Sequence, residues 1–323
     1  MKFSRFFIPV FSLILIFLFA CHRSQRPIVP YEVDPDEVFR ALTPNDEDAT
    51  NYLTFGKNNI PGFIFDHDFT TDNSEIFVYF QNFTVLDINP DINQGLFEFI
   101  YQQLTEGGFI SEEVKFSDSE FSSLQNSGLT YSDAAGKILD ILDEGFEQRY
   151  DSLSSYRSPF NIYFQIYPVF LDDNYVTYRQ YSYSYTGGAH GITASYLKSY
   201  DLKSGKELQL DDIVTPEGLT TLHEEVAAHM AYSYPIYENI ETVEEYVDSL
   251  NVWVGDFYGD DASGHDNKIT LSNFPLPQPA IIKDGLAFIY QMYTMAPGSD
   301  GCPLVVIPYS DIKGCLYPQF KSL

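Results

Sequence analysis

A segment with strict two-residue alternation constrains most strongly what this chain can fold into. From Tyr175 to Thr186, alternate side chains fall on the two faces of a predicted strand. One face carries Tyr175, Thr177, Arg179, Tyr181, Tyr183 and Tyr185, and the other carries Val176, Tyr178, Gln180, Ser182 and Ser184. An apolar run from Asn161 to Leu171 precedes it, and the turn-forming residues 172–174 separate the two segments. The pattern predicts a long β-hairpin and therefore an antiparallel sheet.

The rest of the chain alternates further strands with amphipathic helices. Strands are predicted at Glu75 to Leu86, Ala194 to Leu202, Ile269 to Phe274, Gly285 to Tyr293 and Leu304 to Pro308. Helices are predicted at Asn89 to Leu104, Ser132 to Tyr150, Thr215 to Met230 and Thr242 to Leu250. Each helix has one apolar stripe, so it must cover a sheet. The predicted class is α+β, with antiparallel sheets covered by amphipathic helices in two closely associated domains, residues 51–158 and 159–323.

The first twenty residues resemble a bacterial lipoprotein signal peptide. Lys2 and Arg5 form its basic start, and the apolar stretch from Phe6 to Phe19 is short for a membrane span, which needs about 20 residues. Residues 18–21 end in Cys21, whose thiol stands where diacylglycerol would attach. We expect removal of residues 1–20 and lipidation of Cys21, which would anchor the chain in the bacterial cell envelope, on the periplasmic side or at the cell surface. The alternative is an uncleaved anchor helix.

Residues 21–50 differ in composition from the segments on either side. They are rich in Pro, Asp and Glu and show no sustained apolar period. Such a composition is typical of a solvated linker. The sequence therefore predicts a tether between the lipid and the first domain.

The charge of the chain excludes one class of partner and favours another. There are 18 Lys+Arg against 46 Asp+Glu, a formal net charge of −28, and loss of Lys2 and Arg5 with the signal takes it to −30. Nucleic-acid binding requires clustered basic residues, so it is excluded. A strongly acidic chain instead attracts basic proteins or divalent cations.

Two cysteines remain besides Cys21. Cys302 and Cys315 each lie beside a glycine near the end of the chain. In an oxidising compartment such a pair commonly closes, which predicts a disulfide worth about 3 kcal/mol. The alternative is two free buried thiols.

The most distinctive run for binding is residues 183–191, Tyr-Ser-Tyr-Thr-Gly-Gly-Ala-His-Gly. Glycines allow close backbone approach, and aromatic side chains among them offer contact surface. The candidate ligand-binding residues are Tyr183, Tyr185, Gly187, Gly188 and His190. The other interpretation is a tight connection between strands in which the histidine makes only a local hydrogen bond. The tyrosine row at 181, 183 and 185 is expected to pack in the core, with a carbohydrate platform as the alternative.

Metal and catalytic sites are not predicted. His223 and His229 lie six residues apart on a helix, too far around it to share a metal, and are expected at the surface. The acidic loop from Asp256 to Asp266 lacks the ordered ligands of an EF-hand, so a solvated loop is favoured over a calcium site. Nucleophile-elbow, His-Glu-x-x-His, Cys-x-x-Cys and dinucleotide motifs are absent from the sequence. We expect no cofactor and no enzymatic activity.

Several motifs together resemble one family. They are residues 183–191, Tyr200 to Lys206, Leu210 to Ile213, Lys283 to Tyr290, Tyr293, residues 296–297, Gly301 and Val306 to Tyr309. They are similar to a domain of unknown function in the extracytoplasmic part of lysozyme-sensing anti-sigma factors and in some peptidoglycan deacetylases. The resemblance implies an α+β ectodomain whose role, in one branch of the family, is to bind lysozyme. This chain shows no anti-sigma segment, transmembrane helix or deacetylase domain, so only the binding role carries over.

The functional expectation combines the anchor, the charge and this resemblance. We expect a lipid-anchored cell-envelope protein that binds a basic protein, with lysozyme as the leading candidate. The alternative is a module that binds peptidoglycan or another envelope glycan without catalysis. Ionic steering toward a protein weakens with salt, whereas stacking on a neutral glycan does not.

Overall fold

The computed structural model describes residues 25–30, 38, 52–55, 60–70, 76–85, 91–92, 160–185, 189–258 and 268–323. Several predicted features lie outside the described residues: the signal peptide, Cys21, Gly187, Gly188, the helix from Asn89 to Leu104 except residues 91–92, the helix from Ser132 to Tyr150 and residues 259–267 of the acidic loop.

Six strands form the larger sheet, in the order β1 to β6. They are β1 (Tyr52–Phe55), β2 (Ile60–Thr70), β3 (Ile76–Val85), β4 (Phe160–Leu171), β5 (Tyr175–Tyr185) and β6 (Ile192–Asp201). Neighbours are antiparallel except β3 and β4, which run parallel from Ile76 opposite Phe160 to Asn82 opposite Ile166. A parallel pair needs a long crossover connection rather than a hairpin. This pair joins strands from both predicted domains into one sheet.

The predicted hairpin is confirmed as β4 and β5. Their pairing runs from Asn161 opposite Tyr185 to Leu171 opposite Val176. The Asp172 carboxylate closes the turn, because its Oδ1 accepts hydrogen bonds from the backbone N–H groups of Asn174 and Tyr175, each at 2.7 Å. An aspartate that bonds its own downstream backbone is a local device for reversing the chain, so this turn is readable from sequence.

The smaller sheet has the order β7–β8–β9 and is buried on both faces. Its strands are β7 (Ala280–Ile281), β8 (Gly285–Ile289) and β9 (Leu304–Pro308). One face belongs to the main core and carries Ile281, Leu286, Phe288, Val305 and Ile307. The other packs with Leu197 of β6 and carries Ala280, Ala287, Leu304 and Val306. Because both faces are covered, β8 is a continuous apolar run without polar alternation.

Helices form the third layer, over the smaller sheet. They are α1 (Leu210–Ile213), α2 (Leu219–Ser233), α3 (Val243–Tyr258) and α4 (Tyr309–Ile312). A turn of 3₁₀-helix at Pro216–Gly218 leads into α2, with the Thr215 hydroxyl accepting from the Gly218 N–H at 3.2 Å. Before α3, Thr242 and Glu245 form a reciprocal capping box. The stripe predicted for α2 is confirmed, since Leu222, Val226 and Met230 are fully buried.

The predicted α+β class, with helices and antiparallel pairing in two associated parts, is therefore confirmed, and the parallel pair of β3 and β4 is the one departure among the described strands. Two local predictions are wrong. The segment from Ile269 to Phe274 is not a strand but holds a 3₁₀ turn at Leu271–Asn273. The strand β7 was not predicted, and β8 ends at Ile289 rather than Tyr293.

A buried hydroxyl network links the two sheets. Thr177 Oγ1 and Ser199 Oγ lie 2.6 Å apart, and both residues are fully buried. The Thr177 hydroxyl donates to the Ile281 carbonyl at 2.5 Å, and the Ile281 N–H donates to Ser199 Oγ at 2.8 Å. The two hydroxyls thus provide hydrogen-bond partners for both backbone groups of Ile281, where β7 meets the larger sheet.

We expect Ser199→Ala to destabilise the protein by about 2 kcal/mol, because it leaves the Ile281 N–H buried without its acceptor. Ser310→Ala, at an exposed serine, should change the stability by less than about 0.5 kcal/mol. Urea unfolding of both variants measures the difference. Equal midpoints for the two variants would contradict this role of the network.

His229 is not at the surface as expected, since only 8% of it is exposed. It follows Val226 by three residues, so it lies on the apolar stripe of α2. Burial lowers the pKa of His229, and this outweighs the neighbouring Glu225 and Asp311 carboxylates, which raise it. His223 is half-buried, with its ring nitrogen 2.5 Å from the Phe274 carbonyl. The two imidazoles therefore have different surroundings.

The lowered pKa of His229 predicts a loss of stability in mild acid. The unfolded chain takes up this proton near pH 6.5 and the folded protein resists it, so stability is complete above that pH and falls below it. Below that pH, the free energy of unfolding falls by up to about 1.4 kcal/mol per pH unit, until His229 is also protonated in the folded protein. Urea unfolding between pH 8 and pH 5 should show a shallower pH dependence for His229→Gln than for the native protein. Parallel curves would contradict the prediction.

The predicted disulfide is absent, because Cys302 and Cys315 are free thiols held by different elements. The Cys302 thiol donates to the Thr193 carbonyl of β6 at 3.6 Å. Cys315 lies against the 3₁₀ turn before α2, where its carbonyl accepts from the Thr215 N–H at 2.8 Å. Burial raises the pKa of both thiols. The described structure thus corresponds to the alternative of two free thiols.

In the described part of the chain, no helix is long and apolar enough to cross a membrane. The same residues bring no three His, Cys, Asp or Glu side chains together in a way that could hold a metal ion.

Candidate functional site

The two faces of β5 differ in burial, and the tyrosine row lies on the less buried one. Val176, Tyr178, Gln180 and Ser182 are buried on one face. On the other face, Tyr181, Tyr183 and Tyr185 are only half-buried. The expectation that these three rings form core is therefore wrong. At the N-terminal end of β5, Tyr175 and Thr177 on this same face are buried. The face that carries the tyrosines therefore becomes more exposed toward the C-terminal end of the strand.

His190 and Tyr293 form the contact around which the candidate site is built. Both are outside the core, His190 in the loop before β6 and Tyr293 in the loop after β8, 103 residues apart. The Tyr293 hydroxyl lies 3.0 Å from His190 Nε2, and the two rings are 6.1 Å apart between centroids. His190 Nδ1 lies 3.0 Å from the Gly191 carbonyl, which can only accept. In the neutral imidazole Nδ1 then donates to Gly191 and Nε2 accepts from Tyr293.

Two glycines leave the space that the rings of Tyr183 and Tyr293 occupy. A Cβ at Gly191 would overlap the ring and hydroxyl of Tyr183, and a Cβ at Gly298 would overlap the same atoms of Tyr293. Each tyrosine ring thus packs directly against the backbone of a glycine, where any other residue would place a side chain. The glycines in both loops serve to seat aromatic rings next to His190.

Tyr293 has an unusual backbone conformation, with φ of 68°. Bulky residues rarely adopt the left-handed region, and doing so costs about 1–3 kcal/mol. Strain of this kind persists where the surroundings impose it and is common at binding sites. Here the surroundings are Gly298 beneath the ring and His190 at the hydroxyl.

The loop carrying Tyr293 is attached to β6, the edge strand of the larger sheet. The side-chain amide of Gln291 donates to the Ser195 carbonyl at 2.7 Å and accepts from the Ser195 N–H at 3.3 Å. These two bonds mimic the pairing of a neighbouring strand, which protects an otherwise open edge. The Cys302 thiol makes a third bond at the other end of the loop, to Thr193. Both ends of the loop that carries Tyr293 are therefore hydrogen-bonded to β6, at the edge of the larger sheet.

A cation lies next to the tyrosine row. The guanidinium carbon of Arg179 is 4.9 Å from the ring centroid of Tyr181, within the range of a cation–π contact. Arg179 Nε also donates to Ser195 Oγ at 3.2 Å. Arg179 thus connects the row to the strand that Gln291 holds.

The structure brings some of the predicted site residues together and adds others. Tyr183 and His190 meet at Gly191, and Tyr185 continues the row. Gly187 and Gly188 lie outside the described residues. Sequence reasoning missed the contribution of the second loop, namely Tyr293, Gly298 and Gln291. Tyr293 belongs to the motifs that carry the family resemblance, but no local pattern pairs it with His190 or Gln291 with Ser195, because these partners are about a hundred positions earlier in the chain.

Among known proteins, the chain shows similarity to solved structures alone. No protein-family model and no curated protein matches the chain. Among solved structures it is similar to a member of the DUF3298 family from Bacteroides fragilis NCTC 9343, with 18% identity over 79% of this chain and 93% of that one and a TM-score of 0.48. It is also similar to a DUF3298 family protein from Pseudomonas aeruginosa PAO1, with 18% identity over 80% of this chain and 95% of that one and a TM-score of 0.46. Both of these solved structures are DUF3298 proteins, a domain of unknown function.

Proposed function

We propose that this chain is a lipid-anchored binding protein of the cell envelope that recognises a basic protein, with lysozyme as the leading candidate, and that it binds without catalysis. The observation that carries the proposal is the His190–Tyr293 contact, at which two distant loops present aromatic rings outside the core. Tyrosine is enriched at protein interfaces because its ring is rigid and amphipathic. The strained backbone at Tyr293 adds support, since a core tyrosine would not need it.

The charge of the chain supports the choice of a basic partner. With 46 acidic against 18 basic residues, the protein attracts cationic proteins over distances set by the ionic strength. Asp300, exposed at the end of the turn Gly298–Asp300, adds a carboxylate to the loop that carries Tyr293. An aromatic surface with acidic surroundings fits a partner rich in Lys and Arg, whose side chains also pack on tyrosine rings.

A glycan is the second candidate ligand, and the half-exposed row of Tyr181, Tyr183 and Tyr185 favours it. Sugar rings stack on aromatic side chains of this kind. In that case the protein would recognise peptidoglycan or another envelope glycan, again without catalysis.

Calorimetric titration of the protein lacking residues 1–21 distinguishes the two candidates. Lysozyme and a soluble peptidoglycan fragment are titrated separately at low and at high salt, with an unrelated protein of similar basic charge as the control. The proposal predicts saturable binding of lysozyme at micromolar or lower Kd, weakened but not abolished by salt. Binding of the glycan alone, indifferent to salt, would support the second candidate. Equal binding of lysozyme and the control protein would contradict specific recognition.

A further inference from the structure

The N-terminal segment of the described chain is docked on the protein rather than free as a tether. Residues 26–28, here called the strap, run antiparallel to the segment that enters α3. Pro27 forms an isolated β-bridge with Thr242. The Val243 N–H donates to the Arg26 carbonyl at 3.0 Å, and the Ile28 N–H donates at 3.2 Å to a carbonyl of the loop before α3.

Side chains hold the strap to two helices at once. The Arg26 guanidinium lies 2.7 Å from Glu225 Oε2 on α2, with Glu225 only 19% exposed. The Arg26 N–H donates to Glu244 Oε2 on α3 at 3.1 Å. Ile28 packs against the main core. Backbone pairing, a half-buried ion pair and apolar packing thus act together, which distinguishes the strap from a segment resting loosely on the surface.

This docking shortens the connection to Cys21. Four residues lie between Cys21 and Arg26, and the five residue-to-residue steps span at most about 17 Å when fully extended. A free tether of 30 residues would instead have a root-mean-square span of about 30 Å and could extend to roughly 100 Å.

We propose that the strap fixes how the protein faces the membrane, holding the α2–α3 surface within about 17 Å of the lipid headgroups. The inference rests on the proposed lipid anchor at Cys21. The partner of this surface is the bilayer itself, at close distance rather than by insertion. Glu238, Glu241 and Glu245 are exposed here, and acidic side chains do not enter a layer of anionic or zwitterionic headgroups.

The test uses the full lipidated protein on phosphatidylcholine vesicles that contain a dansyl-headgroup lipid. Trp253, the single tryptophan of the chain, lies on α3 and serves as the energy donor. One variant carries ten Gly/Ser residues inserted between Ser24 and Gln25, which leaves every strap contact in place. A second variant, Arg26→Ala, removes the ion pair with Glu225.

We expect efficient energy transfer from Trp253 in the native protein and at least a twofold loss in both variants, because each lets α3 move away from the lipid. Unchanged transfer after the ten-residue insertion would overturn the inference, since only an undocked, already long tether tolerates it. Failure of the native protein to bind vesicles would overturn the proposed anchor and the inference with it. Circular dichroism of both variants confirms that the fold is intact.

Discussion

Replacing Gly285 by alanine should destabilise the protein by about 3 kcal/mol, although it adds a single methyl group. Gly285 begins β8, in the middle of the smaller sheet, and pairs with Pro308 of β9. A Cβ at this position would overlap the carbonyl group of Ile307 and lie 3.1 Å from Pro308 Cα. These are backbone atoms of a strand buried between two layers, so neither can move aside cheaply.

Gly314→Ala is the matched control for this substitution. No atom lies within 4 Å of a Cβ built on Gly314, and its φ is not in the left-handed region. This variant should be neutral or slightly more stable, because alanine reduces the freedom of the unfolded chain by about 0.4–1 kcal/mol. Urea midpoints of the two variants are compared with the native protein. A Gly285→Ala variant as stable as Gly314→Ala would show that β8 and β9 are not packed as described.

Replacing Tyr293 by glycine should have opposite effects on stability and on binding. Glycine adopts a φ of 68° without strain, so the folded protein should gain about 1 kcal/mol of stability. The same change removes a ring and hydroxyl that contact His190. Central aromatic residues of an interface contribute about 2 kcal/mol or more, so we expect lysozyme affinity to fall about 30-fold.

Tyr237→Gly controls for the loss of an exposed tyrosine elsewhere. Tyr237 is 46% exposed and precedes α3, away from the two loops of the candidate site. Calorimetry should give this variant the affinity of the native protein. If both variants lose affinity equally, or neither does, the site at Tyr293 is refuted. Thermal unfolding of the two variants checks the predicted stability difference.

Those parts of the fold that depend on neighbouring residues were predictable from sequence. The hairpin of β4 and β5 follows from side-chain alternation and from a turn that Asp172 closes with its own downstream backbone. The helix α2 follows from its apolar period and from Thr215 and Pro216 at its start. In each case the signal and the structure it specifies lie within a few residues.

The incorrect predictions depend on contacts between distant residues. The sequence predicts a strand that begins at Ile269, but the side-chain amide of Asn251 on α3 accepts from the Ile269 N–H and donates to the Ile269 carbonyl, both at 2.9 Å. Its backbone therefore needs no neighbouring strand. The Asn273 side chain then accepts from the Thr270 N–H at 2.5 Å and ends any extended run.

The candidate site also combines residues that lie close together in the sequence with residues that only distant contacts bring to it. His190 and Tyr183 come from one glycine-containing run, so the sequence identified them together. Tyr293 joins them only because Gln291 and Cys302 attach its loop to the edge of β6. The residues that surround Tyr293 in the sequence do not indicate that its hydroxyl contacts His190, 103 residues earlier.

Hydrogen–deuterium exchange with and without lysozyme tests the central claim most directly, because it locates the bound partner on the chain. We predict slower exchange in peptides covering residues 186–194 and 290–300 when lysozyme is bound, with little change in residues 234–245. That last segment carries exposed Glu238, Glu241 and Glu245 and reports non-specific attraction of a basic protein. Slower exchange confined to residues 234–245, or no change in either loop at saturating lysozyme, would contradict binding through the His190–Tyr293 surface.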